Sequence, residues 1–381
     1  MMEQLKLSRS VMGVLLSAFS WTYSFMQMPA GWVVDRFGVR KAYAWGFTLW
    51  SFASMLTGFA RSLVALAAAR MLLGIGQATA FPASARAVSN WFKDRERGSV
   101  IAGYLTGVRL GQALVNWTGP IFLKVYSFQT FFLMIGIVPM LWLIPWSGFL
   151  KKWELVDSGH AVSTPQSKAG ASVSFFEGLA LFKQLSVIGI FLGFFAFDYA
   201  WFVYVSWLPS YLRLERKFSP TEMALYGAIP FLAMSVVILL SGIVSDALIR
   251  RGYSETAVRK TLIVIGLLTG CLIVPAGLVE DKVTAVWLLT ISLCGLGISS
   301  PNCWALTQAV CSKKIVGTVS GIQNFGGNVG GILAPALTGI IADVSGSFAL
   351  AFGLTGVILV LGVFSYIFLI PRQVTTNENA G

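Results

Sequence analysis

The sequence predicts an all-α polytopic membrane protein built as two related helical bundles, and three observations predict it. The 381 residues are 56% hydrophobic and 12% charged, with mean hydropathy +0.75, and the apolar runs are too long and too numerous for the core of a soluble domain. One short pattern occurs twice, each time closing an apolar span. The first copy is Gly31-Trp-Val-Val-Asp35-Arg36-Phe-Gly38-Val-Arg40-Lys41; the second is Gly242-Ile-Val-Ser-Asp246, followed by Arg250, Arg251, Arg259 and Lys260. Finally, Lys and Arg collect in short loops between spans rather than on one helix face or in a tail.

With about 20 residues needed per crossing, helices are expected at 10–34, 42–60, 63–88, 97–122, 128–149, 185–212, 221–248, 261–279, 284–311, 315–342 and 347–370. Five precede the polar segment near 150–184 and six follow it. The expected bundles are therefore 1–149 and 185–381. The segment joining them, with Ser158, Gly159, Ser163, Thr164, Pro165, Ser167 and Gly170, reads as a flexible linker. One span carries the first copy of the repeat, whereas the second copy closes the second span of its half. Duplicate halves then imply that the first half lacks its first helix, and a truncated gene is the expectation over a genuine eleven-span protein. The start Met1-Met2-Glu3-Gln4 has no basic segment leading into an apolar core, so no signal peptide is read there.

Loops on the side of the two repeats hold 17 of the 28 Lys and Arg residues and the opposite loops hold 8. This bias places the repeats, the central loop and the C-terminus in the cytoplasm. The remaining three, Arg70, Arg86 and Arg109, fall inside spans. A net charge of +12 and pI near 9.7 do not signal nucleic acid, because the charge is spread over loops. Cys271, Cys294, Cys303 and Cys311 lie in apolar spans without ligand spacing, and the lone histidine, His160, lies in the polar loop. Neither a disulfide framework, a metal site, a nucleophile motif nor a cofactor is indicated, and no enzyme is expected.

The Gly-x-x-x-Asp-Arg-x-Gly-x-Arg-Lys run at 31–41, its degenerate copy at 242–260 and the long central loop resemble the major facilitator superfamily. Within it, Arg70-Met-Leu-Leu-Gly74-Ile-Gly76-Gln77-Ala78, Phe81-Pro82-Ala83, Trp91-Phe92 and Glu96-Arg97 resemble the anion:cation symporter family. So do Trp207-Leu-Pro209-Ser-Tyr211-Leu and Asn324-Phe-Gly326-Gly327-Asn-Val-Gly330-Gly331. The resemblance covers residues 10–370. It implies the major facilitator fold, with five plus six spans here, and secondary transport of a sugar acid or other organic anion by alternating access, coupled to protons. It also implies a cytoplasmic gate made by Gly31, Asp35, Arg36, Gly38, Arg40 and Asp246. Asp35 is expected against the N-terminal end of the helix starting near Thr318, and Asp246 against the one starting near Ser99; a topology signal alone is the other reading of Asp35 and Arg36.

Charges inside spans carry the substrate argument, since each costs roughly 2.5–3.5 kcal/mol at mid-membrane. Arg70 and Gln77 are seven residues apart on one helix face. Arg109 lies mid-span, in a polar stripe with Thr106, Gln112 and Asn116. Two guanidinium groups with few acidic partners suit a carboxylate, which Arg binds through two parallel hydrogen bonds; pairing with backbone carbonyls or a neighbouring helix is the structural alternative. Arg86, at a boundary, reads as packing or snorkelling. Asp198 is the one carboxylate deep in a span, beside Tyr199, Trp201 and Tyr204. It is the candidate for ion coupling, or else a partner that ties helices together.

Further cavity candidates are Tyr23 and Gln27, four apart on one span; Ser300, Asn302 and Trp304 around Pro301; and Gln323, Asn324 and Asn328 in a glycine-rich span. The resemblance implies that Tyr23, Trp304 and Asn324 occupy substrate-contacting positions. It also exposes departures. Gln77 stands where relatives carry a glutamate implicated in proton coupling, and the absent first helix carries their Asp-Arg pair. Pro301 and Cys303 replace hydroxyl residues of galactonate-type carriers. Asp198 then takes over coupling, or transport is uniport or sodium-linked. The expected partners are a small organic anion, a proton or sodium ion and the lipid of the cytoplasmic (inner) membrane, with a monomer as the working unit. A drug/proton antiporter of the same superfamily and a non-transporting membrane receptor are the competing readings. In-span positive charge, and only Gly119-Pro120 as an antiporter-like signal, weigh against the first.

Overall fold

The computed structural model describes residues 7–91, 94–146, 148, 181–311 and 316–370. Its helices are α1 Arg9–Phe37, α2 Val39–Phe59, α3 Leu63–Gln77, α4 Ala80–Trp91, α5 Asp94–Val125, α6 Phe128–Met140, α7 Leu185–Leu214, α8 Pro220–Arg250, α9 Glu255–Gly270, α10 Ile273–Leu278, α11 Lys282–Val310, α12 Val316–Ser345 and α13 Ala349–Phe364. The last of these runs on into a π turn, Ser365–Leu369. No β-strand occurs among the described residues. Each of the eleven expected spans falls on helix, and among the described residues eight helical stretches are long and apolar enough to cross a membrane. The linker at 150–184 lies almost wholly outside the described residues, as does the C-terminus beyond 370.

Hydrogen-bonding residues in the sequence set the helix ends. Ser8, Ser62 and Ser127 cap α1, α3 and α6 through their hydroxyls, and Ser219 with Glu222 forms a capping box at α8. Gly38 joins α1 to α2 with φ 80° and ψ 158°, a backbone that side chains disfavour. It lets α2 begin one residue after α1 ends, which accounts for the glycine in the first repeat. Two expected spans are interrupted at residues that proline deprives of a donor. Pro82 cannot bond the carbonyl of Ala78, and α3 gives way to α4 at Ala78 and Thr79. Pro275 likewise leaves Cys271, whose carbonyl instead accepts from the Val274 amide at 3.0 Å where α9 gives way to α10.

The chain divides into two compact units, Met1–Tyr104 with Phe122–Gly170, and Leu105–Ile121 with Ala171–Gly381. The middle of α5 thus groups with the second unit, whereas the sequence assigned that whole span to the first bundle. In the first unit α1 packs on α3, α2 on α3 and α2 on α6. In the second, α8 packs on α11, α9 on α11 and α9 on α13, and α7 lies along α12. The first three of these pairings repeat those of the first unit with α8, α9, α11 and α13 in place of α1, α2, α3 and α6.

The duplication reaches individual residues. A Cβ on Gly46 of α2 would lie 2.7 Å from the Gly76 carbonyl of α3, and one on Gly76 would lie 2.9 Å from the Gly46 carbonyl. In the second unit Gly266 of α9 and Gly295 of α11 meet in the same reciprocal way, each overlapping the other's carbonyl oxygen. Close backbone contact at small residues is how helices associate where lipid supplies no hydrophobic drive. The opposite faces are apolar and bare: Val357, Val360, Leu361, Phe364 and Phe368 form an exposed stripe along α13 and the π turn. A surface of that kind belongs against acyl chains rather than water.

Gly295→Leu should lower the thermal midpoint of the detergent-solubilised protein by several degrees, because overpacking costs about 1–3 kcal/mol. Gly353→Ala, whose new Cβ meets nothing within 4 Å, should leave it unchanged; equal midpoints for the two variants would rule out the tight crossing.

Candidate functional site

In the second unit three residues meet around one charge. Arg109 of α5 lays its guanidinium on the face of Trp201 of α7, with Cζ 3.7 Å from the ring centroid. That contact is worth about 0.5–2 kcal/mol, the more as water is excluded. Trp201, 9% exposed, is held in turn by Phe231 of α8, whose ring meets it edge-on at 5.8 Å. Asp198, one helical turn before Trp201, interacts electrostatically with Arg109. No direct ion pair joins them among the described residues. The carboxylate rests over Gly327 of α12, where any Cβ would overlap it. Gln112 is half-buried on the same stripe of α5, and its backbone carbonyl accepts from Asn116 Nδ2 at 2.8 Å.

Asp198 has two further neighbours inside this unit. Cys303 of α11 and Tyr366 of the π turn both feel its charge, and both are 1% exposed. Trp304, next to Cys303, packs edge-on to Phe194 at 5.1 Å. Tyr199 is fully buried, its hydroxyl beside that of Thr338. Gln323 is buried too; it accepts from Thr307 Oγ1 at 2.6 Å and keeps an unpartnered Nε2. Asn324, beside it, is half-buried.

Asn302 turns the other way. Its Nδ2 donates to Ser241 Oγ at 2.9 Å and to the Ile298 carbonyl at 2.8 Å, while its Oδ1 accepts from Arg259 Nη1 at 3.3 Å. Arg259 also donates to Ser245 Oγ at 2.6 Å and pairs with Asp246 at 3.1 Å. The second repeat is therefore tied through Arg259 to α9 and α11, with Asp246 itself exposed and Gly242 open to its surroundings. That network was not anticipated; Arg259 showed only as one of a basic cluster.

The first unit carries its own candidates. Tyr23 and Gln27 are half-buried on α1, Tyr23 stacking on Phe19 at 5.3 Å. Arg70 is half-buried on α3, and its guanidinium makes no hydrogen bond or ion pair among the described residues. Gln77 is the last residue of α3, at the break before α4. Arg86 is exposed on α4. At the first repeat Gly31 and Gly38 are half-buried, Arg36 is exposed, and Arg40 accepts at its carbonyl from Trp146 Nε1 at 3.2 Å. The side chains of Asp35, Ser99 and Thr318 lie outside the described residues, and so do the two gate contacts expected from the sequence.

At the end away from the Gly242–Asp246 repeat the connections are pinned by charge. Glu215 accepts from Ser347 Oγ and the Phe348 amide at 2.8 and 2.7 Å, and Lys282 pairs with Glu222 at 2.7 Å. Asp281 caps α11 through Thr284, whose hydroxyl and amide hold its carboxyl below the usual carboxylate range. No group of three or more metal-ligating side chains occurs among the described residues.

Asn302→Ala should cost about 1–3 kcal/mol of stability, because it strands the Arg259 and Ser241 groups it serves. Thermal unfolding of the purified variant checks this; an unchanged midpoint would mean that the network carries no weight in holding α8, α9 and α11.

Comparison with known proteins gives the family. The sequence profile described as Major Facilitator Superfamily matches residues 1–335 and, again, 258–381. A D-galactonate transporter of Escherichia coli O6:H1 is 31% identical over 97% of the chain and 88% of its own length. A probable sulfoacetate transporter of Cupriavidus necator is 31% identical over 100% and 90%, and a hexuronate transporter of Bacillus subtilis is 31% identical over 93% and 84%. Among solved structures, a bacterial homologue of the human lysosomal transporter Spinster superposes with a TM-score of 0.77 at 18% identity, covering 97% of this chain and 91% of that one.

Proposed function

Because the chain belongs to the Major Facilitator Superfamily, we propose that it carries a small organic anion of the sugar-acid class across the cytoplasmic membrane by alternating access, in symport with a proton. It is a multi-pass membrane transporter and not an enzyme. The observation that carries the reading is the Arg109 guanidinium, spread on Trp201 and answered by Asp198 without a direct ion pair. A guanidinium so placed keeps in-plane N–H groups for a carboxylate. The three relatives bear names of acids that share an anionic group on a small polar body, which is the chemistry such a site selects.

Arg70 supplies the corresponding charge in the first unit, with Tyr23, Gln27 and Gln77 as its hydrogen-bonding company. In the second unit Gln112, Tyr199, Trp304 and Asn324 accompany Arg109; Asn302 and Gln323 act from behind them, since their hydrogen bonds run to neighbouring helices. Asp198 is the proton-bearing group. An anion arriving at Arg109 removes the cation that favours the charged carboxylate, so Asp198 takes up a proton as the anion binds. The repeats, with Gly31, Asp35, Arg36, Gly38, Arg40 and Asp246, form the cytoplasmic gate, and the central loop and C-terminus lie on that same side. The protein works as a monomer.

Uptake of a panel of radiolabelled sugar acids into vesicles, with and without an inward proton gradient, tests the reading. Arg109→Gln should abolish anion uptake and binding while the protein still inserts and folds; wild-type affinity in that variant would move the carboxylate site elsewhere.

The gate has a separate readout. Asp35→Asn should slow uptake severalfold with substrate affinity retained, whereas an unchanged rate would reduce the repeat to a topology signal.

A further inference from the structure

The first repeat carries three rings and a lysine that the transport reading leaves unused. Trp32 near the end of α1, Phe37 at its last residue and Trp45 early in α2 are all exposed, the two tryptophans more than half so. They form one patch: the Phe37 ring meets Trp32 edge-on at 6.2 Å and Trp45 at 5.1 Å. Aromatic rings gathered where helices leave a membrane belong at the level where acyl chains give way to headgroups. Each tryptophan also has a basic residue one turn further out. Arg36 follows Trp32 by four residues on α1, and Lys41 precedes Trp45 by four on α2; the two helix ends meet at Gly38. Both basic side chains are exposed, and neither makes a hydrogen bond or ion pair among the described residues. From Gly31 to Trp45 one acid, Asp35, stands against three bases, Arg36, Arg40 and Lys41.

The second repeat shows what the same lysine does when it is not left outside. Lys260 follows Arg259 as Lys41 follows Arg40, but its Nζ donates to the carbonyls of Ile367 and Ile370 at 3.2 and 3.1 Å. It thereby fastens α9 to the end of the last helical stretch. In the first unit that joint is made by Trp146, whose Nε1 donates to the Arg40 carbonyl at 3.2 Å and whose ring lies 4.9 Å from that of Tyr43. An indole does the fastening, and Lys41 is released to the surface. The rings are equally particular to the first copy: Ile243, Leu248 and Val264 stand where Trp32, Phe37 and Trp45 would recur.

We propose that this face of the first unit binds an anionic phospholipid, with Arg36 and Lys41 taking the phosphate and Trp32, Phe37 and Trp45 covered by the glycerol and upper acyl carbons. A phosphodiester offers acceptor oxygens to guanidinium and ammonium alike. The occupant is a lipid rather than a soluble anion, because a contiguous exposed aromatic patch calls for an apolar cover that free phosphate lacks. It is an anionic lipid because the bases outnumber the acid, and basic residues at a membrane surface gain from negative headgroups. The site stands apart from the transport reading and is tested without it.

The test is native mass spectrometry of the detergent-purified protein, titrated with phosphatidylglycerol, phosphatidylcholine or inorganic phosphate. The tightest-held lipid should be phosphatidylglycerol. Lys41→Gln should weaken its binding about fivefold, the effect of one basic residue at an anionic surface, and Trp45→Ala should weaken it as well. Lys217→Gln, which removes an exposed lysine of the second unit, should leave it unchanged and so separates a site from net charge. Equal affinity for the two lipids, or an unaltered affinity in Lys41→Gln, overturns the proposal. Displacement of the lipid by inorganic phosphate overturns it too and reassigns the bases to a soluble anion. Both variants alter exposed side chains, so their thermal midpoints should match the wild type; a lowered midpoint in Trp45→Ala leaves Lys41→Gln to decide.

Discussion

One constraint organises the second unit: a guanidinium held within the membrane-spanning body must be stabilised without being neutralised. A full ion pair with Asp198 would meet the cost of removing Arg109 from water but would also consume its binding capacity. The arrangement divides the task. The face of the guanidinium rests on the Trp201 ring, and Asp198 supplies charge compensation through space, which leaves the donor edge available. This division explains why the middle of α5 belongs with α7 and α8 in the second unit. It also explains why Trp201 is braced by Phe231 and why α12 offers a glycine beneath the carboxylate.

The surrounding scaffold achieves rigidity by backbone proximity. In lipid every peptide group must be satisfied within its own helix, so helices grip one another through shape and the occasional side-chain hydrogen bond. The Gly46–Gly76 and Gly266–Gly295 crossings do the first. The Asn302–Ser241–Arg259 set does the second, closing the second repeat onto α9 and α11. Such contacts make each unit stiff inside.

Much of this was legible in the residues. The placement of helices followed from span length, and Arg109, Arg70 and Asp198 stood out because charge is rare in such spans. The repeated glycine and aspartate announced the duplication, and Gly38 proved to hold a backbone that few other residues take. What escaped was whatever depends on which helix faces which. Trp201 lay one turn from Asp198 and was read as a neighbour on the same helix, yet nothing in its spacing tied it to Arg109, 92 positions earlier. Asn302 looked like a cavity residue because it is polar and adjacent to Pro301; its face of α11 is decided by Ser241 and Arg259, which come from other helices. The interruptions of α3 and α9 were foreseeable from Pro82 and Pro275 but were masked by continuous hydrophobicity.

The pattern of ionisable groups then reads as a relocation. On the proposed reading the amide of Gln77 cannot titrate, while α7 of the second unit carries a carboxylate, Asp198, that interacts with the Arg109 guanidinium. A carboxylate near an arginine that also serves the substrate is a physically sufficient coupling element, because one cation cannot fully stabilise two anions at once. Binding of the substrate and ionisation of Asp198 then oppose each other through Arg109, by an amount equal to their difference in interaction with it. The coupling needs no dedicated pair elsewhere. On the proposed reading, its strength is set by the difference in how strongly Arg109 interacts with the two anions, so the chemistry immediately around that carboxylate matters more than the number of charges in the protein.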